Sequence, residues 1–159
     1  MPDLKVLKAT WAIRLFALTR IPLIALIRPT ILTVSSRTCV VRVPLGWLVK
    51  NHLRTMYFGA LCIGADLAGG LIVMNMIRAR RSRVTFLFKD FQADFLKRAE
   101  GATVFTCNDG EKLGRLLLKA EESGEREEDT VEVVATVPEK LGEEPVARFT
   151  LTISMKKRV

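Results

Sequence analysis

Residues 57–77 read Tyr-Phe-Gly-Ala-Leu-Cys-Ile-Gly-Ala-Asp-Leu-Ala-Gly-Gly-Leu-Ile-Val-Met-Asn-Met-Ile, an almost wholly apolar run in which Asp66 is the only charge. At about 20 residues the run is as long as a membrane span. An acid at its middle and the small residues Gly59, Ala60, Gly64, Ala65, Ala68, Gly69 and Gly70 lower its propensity to insert, so it is predicted to be a helix surrounded by protein. A glycine inside a helix costs about 0.5–1 kcal/mol relative to alanine. Several in one helix imply that another surface, a sheet or a partner helix, comes close to its backbone.

Downstream of this run the hydrophobic period shortens to that of strands. Val84, Phe86 and Phe88 alternate with Thr85, Leu87 and Lys89, Phe91 and Phe95 continue in the same direction, and Thr103 to Cys107 forms a further short strand. Asp109-Gly110 marks a turn, and Glu111 to Glu122 is an amphipathic helix by Leu113, Leu116, Leu117 and Ala120. Glu121 to Asp129 is an acidic run expected to be a solvated loop. Two long strands follow, Asp129 to Val137 and Val146 to Met155, joined by a hairpin connection through Glu139 to Pro145.

Upstream, Leu4, Leu7, Trp11, Leu15 and Leu18 recur at three-to-four spacing and are expected to pack one helical face on the domain, with the helix ending near Pro22. Pro29 and Pro44 bracket one or two strands within Thr30 to Val43, rich in Ile, Val and Thr. The order is helix, strand or strands, buried helix, two strands, short helix, two strands. This divides the chain into an N-terminal amphipathic helix over residues 1–28 and one α+β domain over 29–159.

The bulk numbers agree with a single packed domain. The chain has 159 residues, 49% hydrophobic and 26% charged, which is ordinary globular usage. Its formal charge of +8 raises binding to a polyanion, but basic residues concentrate only in Arg78–Arg83 and Lys156–Arg158, and no aromatic-interleaved basic motif accompanies them. Nucleic acid is therefore not an expected partner. Cys39, Cys62 and Cys107 are odd in number and lack C-x-x-C spacing, which argues against a disulfide framework or a zinc site and fits a reducing cytoplasm. Arg14, Arg20 and Arg28 interrupt Leu4 to Leu32, so this region is expected neither to span a membrane nor to form a signal core; contact with a membrane interface is the lesser alternative.

The element order, with a glycine-containing apolar helix after the first strands, resembles the hotdog fold, a long central helix wrapped by a curved antiparallel sheet. Asn51-His52-Leu53-Arg54-Thr55-Met56-Tyr57-Phe58-Gly59 followed by Asp66 is similar to the signature of phenylacetyl-CoA thioesterase-like hotdogs. That signature has an Asn, two variable residues, Gly, Thr, one residue, then His-Gly-Gly, with an acid nine positions after the His. Asn51, Thr55, Gly59 and Asp66 stand in register with it, while Arg54, Tyr57 and Phe58 replace a Gly, the His and the first Gly of the pair. Phe95 to Gly101 similarly resembles the later Phe-Leu-Arg-Pro-Ala-x-Gly ending of a strand. The resemblance implies hydrolysis of an acyl-CoA at a site between the subunits of a homodimer or homotetramer, without a metal and without a cofactor beyond the coenzyme A of the substrate.

That chemistry needs a base or nucleophile, donors for the developing oxyanion and a slot for the acyl chain. Asp66 is the candidate for the first, since a lone carboxylate in an apolar helix has its pKa raised by desolvation; otherwise it accepts hydrogen bonds from the sheet or a partner chain. The unpaired first amides of the helix around Phe58 and Gly59 are the candidate donors. Asp66 lies about 10 Å further along the helix than Gly59, so a thioester touching both would use two chains. Asn51 either orients the water or carbonyl or serves as a turn residue. Thr55, Tyr57 and Phe58 are the remaining expected substrate contacts near the helix start. Arg81 and Arg83 either hold the phosphates of coenzyme A or form a solvated basic turn with Arg78 and Arg80. His52, the only histidine, reads as a surface loop residue. The phenylalanines at 86, 88, 91 and 95 are sheet core and possible pocket lining.

Two alternatives to the thioesterase remain. One is a non-catalytic hotdog that binds acyl-CoA or fatty acyl groups in the same slot. The other is association with membrane or nucleic acid through the basic N-terminal helix and the arginine run, which predicts strongly salt-dependent binding.

Overall fold

The structure, a computed structural model, describes residues 4–158; residues 1–3 of the expected N-terminal segment and residue 159 lie outside the described residues. Helices α1 (Leu4–Arg20) and α2 (Pro22–Leu26) lead into the hairpin of β1 (Thr30–Val34) and β2 (Cys39–Val43). A 3-10 turn at Trp47–Val49 precedes α3 (Phe58–Arg80). Then follow β3 (Val84–Phe95), β4 (Thr103–Cys107), α4 (Gly110–Ser123), β5 (Glu127–Thr136), the single turn α5 (Pro138–Leu141) and β6 (Pro145–Lys157). The six strands form one antiparallel sheet in the order β1-β2-β4-β5-β6-β3. This is the hotdog arrangement, with α3 as the long helix lying against the curved sheet.

Alternation decides which face of the sheet meets α3. Thr103, Phe105 and Cys107 of β4, Val131, Val133 and Ala135 of β5, and Phe149, Leu151 and Ile153 of β6 are all buried, with solvent-facing residues between them. Ala65, Ala68, Ile72 and Val73 of α3 complete the same core. Among the described residues α3 is the one helix long and apolar enough to cross a membrane, and it is buried here as the core helix of the domain. It stops where Arg81 takes a left-handed conformation (φ 51°) and the Ser82 N–H turns back to the Ile77 carbonyl at 2.9 Å.

The glycines in α3 do different things. A Cβ on Gly64 would stand 2.4 Å from two ring carbons of fully buried Phe105, so here the sheet does press on the helix backbone. At Gly69 and Gly70 the nearest side chains, Val131, Phe86 and Phe88, lie at ordinary contact distances of 3.5 Å or more.

Two local readings, the packing face of α1 and the acidic loop, are corrected. The Leu4, Leu7, Trp11, Leu15 and Leu18 face of α1 points to solvent, each residue 45–67% exposed. The face that packs carries Ala9, Thr10, Ile13 and Phe16. Thr10 Oγ1 accepts from the Ile31 N–H at 3.0 Å, and Arg14 donates to the Pro29 carbonyl and to Thr30 Oγ1, so polar contacts with the edge strand β1 orient the helix. The expected turn at Asp109 leads straight into α4, with Gly110 its first residue: Asp109 Oδ2 accepts from the Glu132 N–H at 2.7 Å, and a Cβ on Gly110 would lie 2.2 Å from the Ser36 carbonyl oxygen. The acidic run Glu121–Asp129 is mostly helix end and strand start, because Glu121, Glu127 and Glu128 pair with Arg80, Lys119 and Lys89. The expected hairpin connection before β6 is present, β5 and β6 pairing antiparallel across it, and it contains the helical turn α5, started by Pro138 at its first position.

Candidate active site

The chain enters α3 through a tight turn that Asn51 builds. Its Oδ1 accepts from the Leu53 and Thr55 amides (2.9 and 3.1 Å), its Nδ2 donates to Thr55 Oγ1 at 2.9 Å, and its own N–H donates to the Thr55 carbonyl at 2.9 Å. Of the two readings of Asn51, the turn residue is the one that its bonds describe. Thr55 is buried beneath this turn. Arg54 sits at φ +61°, the left-handed region in which a side chain is strained, and this is the position where the resembled signature carries Gly. Arg54→Gly is expected to stabilise the fold by about 0.5–1 kcal/mol, measured by denaturant melts, whereas Arg54→Ala brings no such gain.

After the turn, Tyr57 is the residue before α3, in extended conformation and without a side-chain cap. The first amides bonded back to it are those of Ala60 and Leu61, which leaves those of Phe58 and Gly59 ahead of the helical ladder. The Tyr57 ring lies over Gly59, where a Cβ would come within 2.5 Å of it, and it packs at 4.7 Å from the Phe58 ring. Gly59 is thus the residue that lets the ring fold back across the helix start. Asn51, His52, Thr55, Tyr57 and Phe58 line one open cleft of about 600 Å³, closed on its other side by Phe95 to Ala99. Met56 donates its amide to the Ala99 carbonyl at 2.9 Å, which ties the two stretches singled out in the sequence together across the cleft.

Asp66 is elsewhere. It faces a second cavity of about 360 Å³ whose other walls are Leu67, Gly70, Leu71 and Met74 of α3, Phe86 to Phe88 of β3, and Ile13, Phe16, Ile21 and Ile24 from the N-terminal segment. Among the described residues it is the one charged group in that lining, and none donates a hydrogen bond to its side chain. Burial among these apolar walls pushes its pKa up from 3.8 to about 6. The two cavities share no residue. Within one chain the structure therefore gathers Asn51, Thr55, Tyr57 and Phe58, and it separates them from Asp66. Arg81 and Arg83 are exposed at the opposite end of α3 from Gly59 and line neither cavity. Phe86 and Phe88 line the Asp66 cavity, Phe95 lines the cleft and Phe91 packs on Phe149.

Sequence reasoning missed the roof over Asp66. Ile13, Phe16, Ile21 and Ile24 were readable as apolar, but the leucine stripe on the other side of α1 was the stronger periodic signal. No cluster of three His, Cys, Asp or Glu side chains suited to a metal occurs among the described residues. Cys39 and Cys107 face each other across β2 and β4, fully buried, with burial raising their thiols to about 12 and about 11.

Comparison with known proteins places this geometry. Residues 9–155 match the family described as Domain of unknown function (DUF4442). The chain belongs to this family. No curated protein matches it. Among solved structures, the DUF4442 chain is similar to a protein of unknown function from Pseudomonas aeruginosa, named there a probable thioesterase (22% identity, 94% of this chain and 96% of that one, TM-score 0.78). It is also similar to a protein of unknown function from Chlorobaculum tepidum (16%, 99% and 97%, TM-score 0.81) and to a thioesterase family protein from Silicibacter pomeroyi (15%, 91% and 96%, TM-score 0.64). At these identities the likeness establishes the hotdog fold of the DUF4442 chain.

Proposed function

We propose that the protein is a cytoplasmic acyl-CoA thioesterase whose site is shared between two copies of the chain. The observation that carries this reading is Asp66: a single carboxylate, its pKa raised to about 6, set in the wall of an otherwise apolar cavity. The apolar walls suit an acyl chain. The carboxylate takes the proton from a water whose oxygen attacks the thioester carbonyl; the C–S bond then breaks, and the thiolate leaves with that proton. As a nucleophile, Asp66 would instead form an acyl anhydride with loss of thiolate, which water then opens. The Phe58 and Gly59 amides are the oxyanion donors in this scheme. Asn51 positions them by fixing the turn, with Thr55, Tyr57 and Phe58 as walls of the approach.

Two features support a shared site. The separation of the two cavities within one chain leaves each without what the other holds. The 12-residue strand β3 is an edge of the sheet and exposes Leu87, Phe91 and Phe95, a surface suited to pairing with a second copy. Arg81 and Arg83, outside both cavities, would meet the phosphates of coenzyme A only in such an assembly.

The test is thiol release from short, aromatic and long acyl-CoAs by the intact protein, set beside Asp66→Asn, with sedimentation equilibrium giving the assembly. A dimer or tetramer whose turnover is lost with Asp66 supports the reading. Saturable acyl-CoA binding with no turnover on any substrate would replace it with the non-catalytic binding protein, and a monomer at micromolar concentration would overturn the shared site.

A further inference from the structure

The outward face of α1 carries a run of exposed apolar side chains. Leu4, Leu7, Trp11, Leu15 and Leu18 fall on one stripe of α1, and Leu23 and Leu26 of α2 are exposed as well. A contiguous exposed apolar surface of this kind marks a docking site. What docks there is indicated by charge. Between Leu4 and Ala65 the sequence holds nine Lys and Arg residues and no Asp or Glu, whereas residues 66–159 hold sixteen of each sign. With Asp3, the whole formal charge of +8 therefore sits on the first 65 residues.

The structure keeps part of that charge available. Arg37 and Arg42 pair with Glu111 and Glu139, and Arg14 is held by the β1 edge. Lys8, Arg20 and Arg28 are exposed and have no carboxylate within 4.0 Å among the described residues. On α1, Lys8 flanks the leucine stripe one step round the helix from Trp11 and Leu15. Leucines and a tryptophan on the outer face with Lys8 at its margin, and unpaired Arg20 and Arg28 exposed at and beyond the helix ends, are features of a helix that lies in a bilayer interface. A second copy of this face would instead set cation against cation, and nucleic acid would leave the leucines and Trp11 without a function.

We propose that the outer face of α1 and α2 docks the protein peripherally on an anionic lipid bilayer. The helix lies along the membrane surface and inserts no span. Its inner face, Ile13 and Phe16, is the roof of the Asp66 cavity, so docking brings the helix that covers this cavity to the lipid surface. This holds whether or not the protein hydrolyses thioesters.

Flotation of the full-length protein with phosphatidylcholine vesicles, with and without phosphatidylglycerol, tests it. The protein is expected to float with the anionic vesicles, less so as salt rises, and to stay behind with the neutral ones. Of its two tryptophans, Trp47 is replaced by Phe, so that a blue shift on vesicle addition reports Trp11 entering the interface. Trp11→Glu/Leu15→Glu alters two positions that are each 65% exposed, and is expected to abolish flotation without lowering the melting temperature. Lys8→Glu/Arg20→Glu, which leaves the apolar stripe intact, is expected to weaken binding about thirtyfold or more. Absence of flotation, or flotation that neither pair of substitutions changes, would overturn the proposal. So would retention on duplex DNA without vesicle binding, or an assembly that Trp11→Glu/Leu15→Glu breaks while vesicles leave the parent protein unbound.

Discussion

Asp66→Asn is expected to abolish turnover and, in the same protein, to stabilise the fold above pH 6. The two effects have one cause. Asp66 is desolvated by its apolar cavity, so its proton is held in the native state up to about pH 6 but released near 3.8 when the chain unfolds. Between those values the native protein binds more protons than the unfolded one, and stability falls as pH rises through the window. Above it the ionised carboxylate costs about 3 kcal/mol, an upper figure because the group keeps some exposure. Asparagine keeps the shape and drops the charge. Chemical denaturation at pH 8 should therefore show the variant more stable by up to that amount, with the gain vanishing near pH 3, where both states of the parent are protonated. Thiol release should fall by about a hundredfold to ten-thousandfold, the usual worth of a positioned base. In the parent, kcat/KM should rise through about pH 6 to a plateau, because the working form is the carboxylate. A variant less stable at pH 8, or a pH profile without that step, would remove Asp66 from the centre of the mechanism.

How much of this was legible beforehand depends on whether a local pattern has one physical reading or two. The run at 57–77 has one: its length, its glycines and its single acid fit a core helix, and α3 is that helix. Strand alternation at 103–107, 129–137 and 146–155 likewise fixes which side chains are buried, with boundaries shifted by a residue or two where Lys89 and Lys119 draw Glu128 and Glu127 into regular structure. Helix α1 has two readings. Both of its faces are apolar, and periodicity selects a stripe without saying which side is water; Thr10 and Arg14, through bonds to a strand distant in sequence, decide it. For the site, the resemblance to the family signature singled out Asn51, Thr55, Gly59 and Asp66, of which the structure sets Asn51 and Thr55 in one cavity and Asp66 in another, and the helical rise already placed Gly59 and Asp66 too far apart for one thioester. Left out of reach was the use of each side chain. An asparagine before a helix serves a turn or a substrate equally well on paper, and only the bonds from Oδ1 to two amides show that the turn takes it.

The sharpest packing test lies at Gly64, where helix propensity and packing predict opposite signs. By propensity alone, Gly64→Ala would gain about 1 kcal/mol. The added Cβ, however, falls 2.4 Å from two ring carbons of Phe105, which is fully buried with the Phe149 ring beside it. Packing should win, with a net loss of about 2–3 kcal/mol, and more for Gly64→Val. Gly70→Ala is the control on the same helix: its Cβ would meet Phe88 at 3.5 Å, an ordinary contact, so the propensity gain should survive at about 0.5–1 kcal/mol while the methyl narrows the Asp66 cavity. Phe105→Leu should relieve Gly64→Ala, so that the double variant is more stable than the sum of the single losses allows. Thermal melts of the five variants measure this directly, and an unchanged melting temperature for Gly64→Ala would mean that α3 can ride higher on the sheet at no cost. The functional consequence follows from the same contact. Gly64 sets how closely α3 lies on the sheet two residues before Asp66, so a helix lifted at Gly64 would carry its carboxylate out of line with the Phe86 and Phe88 wall.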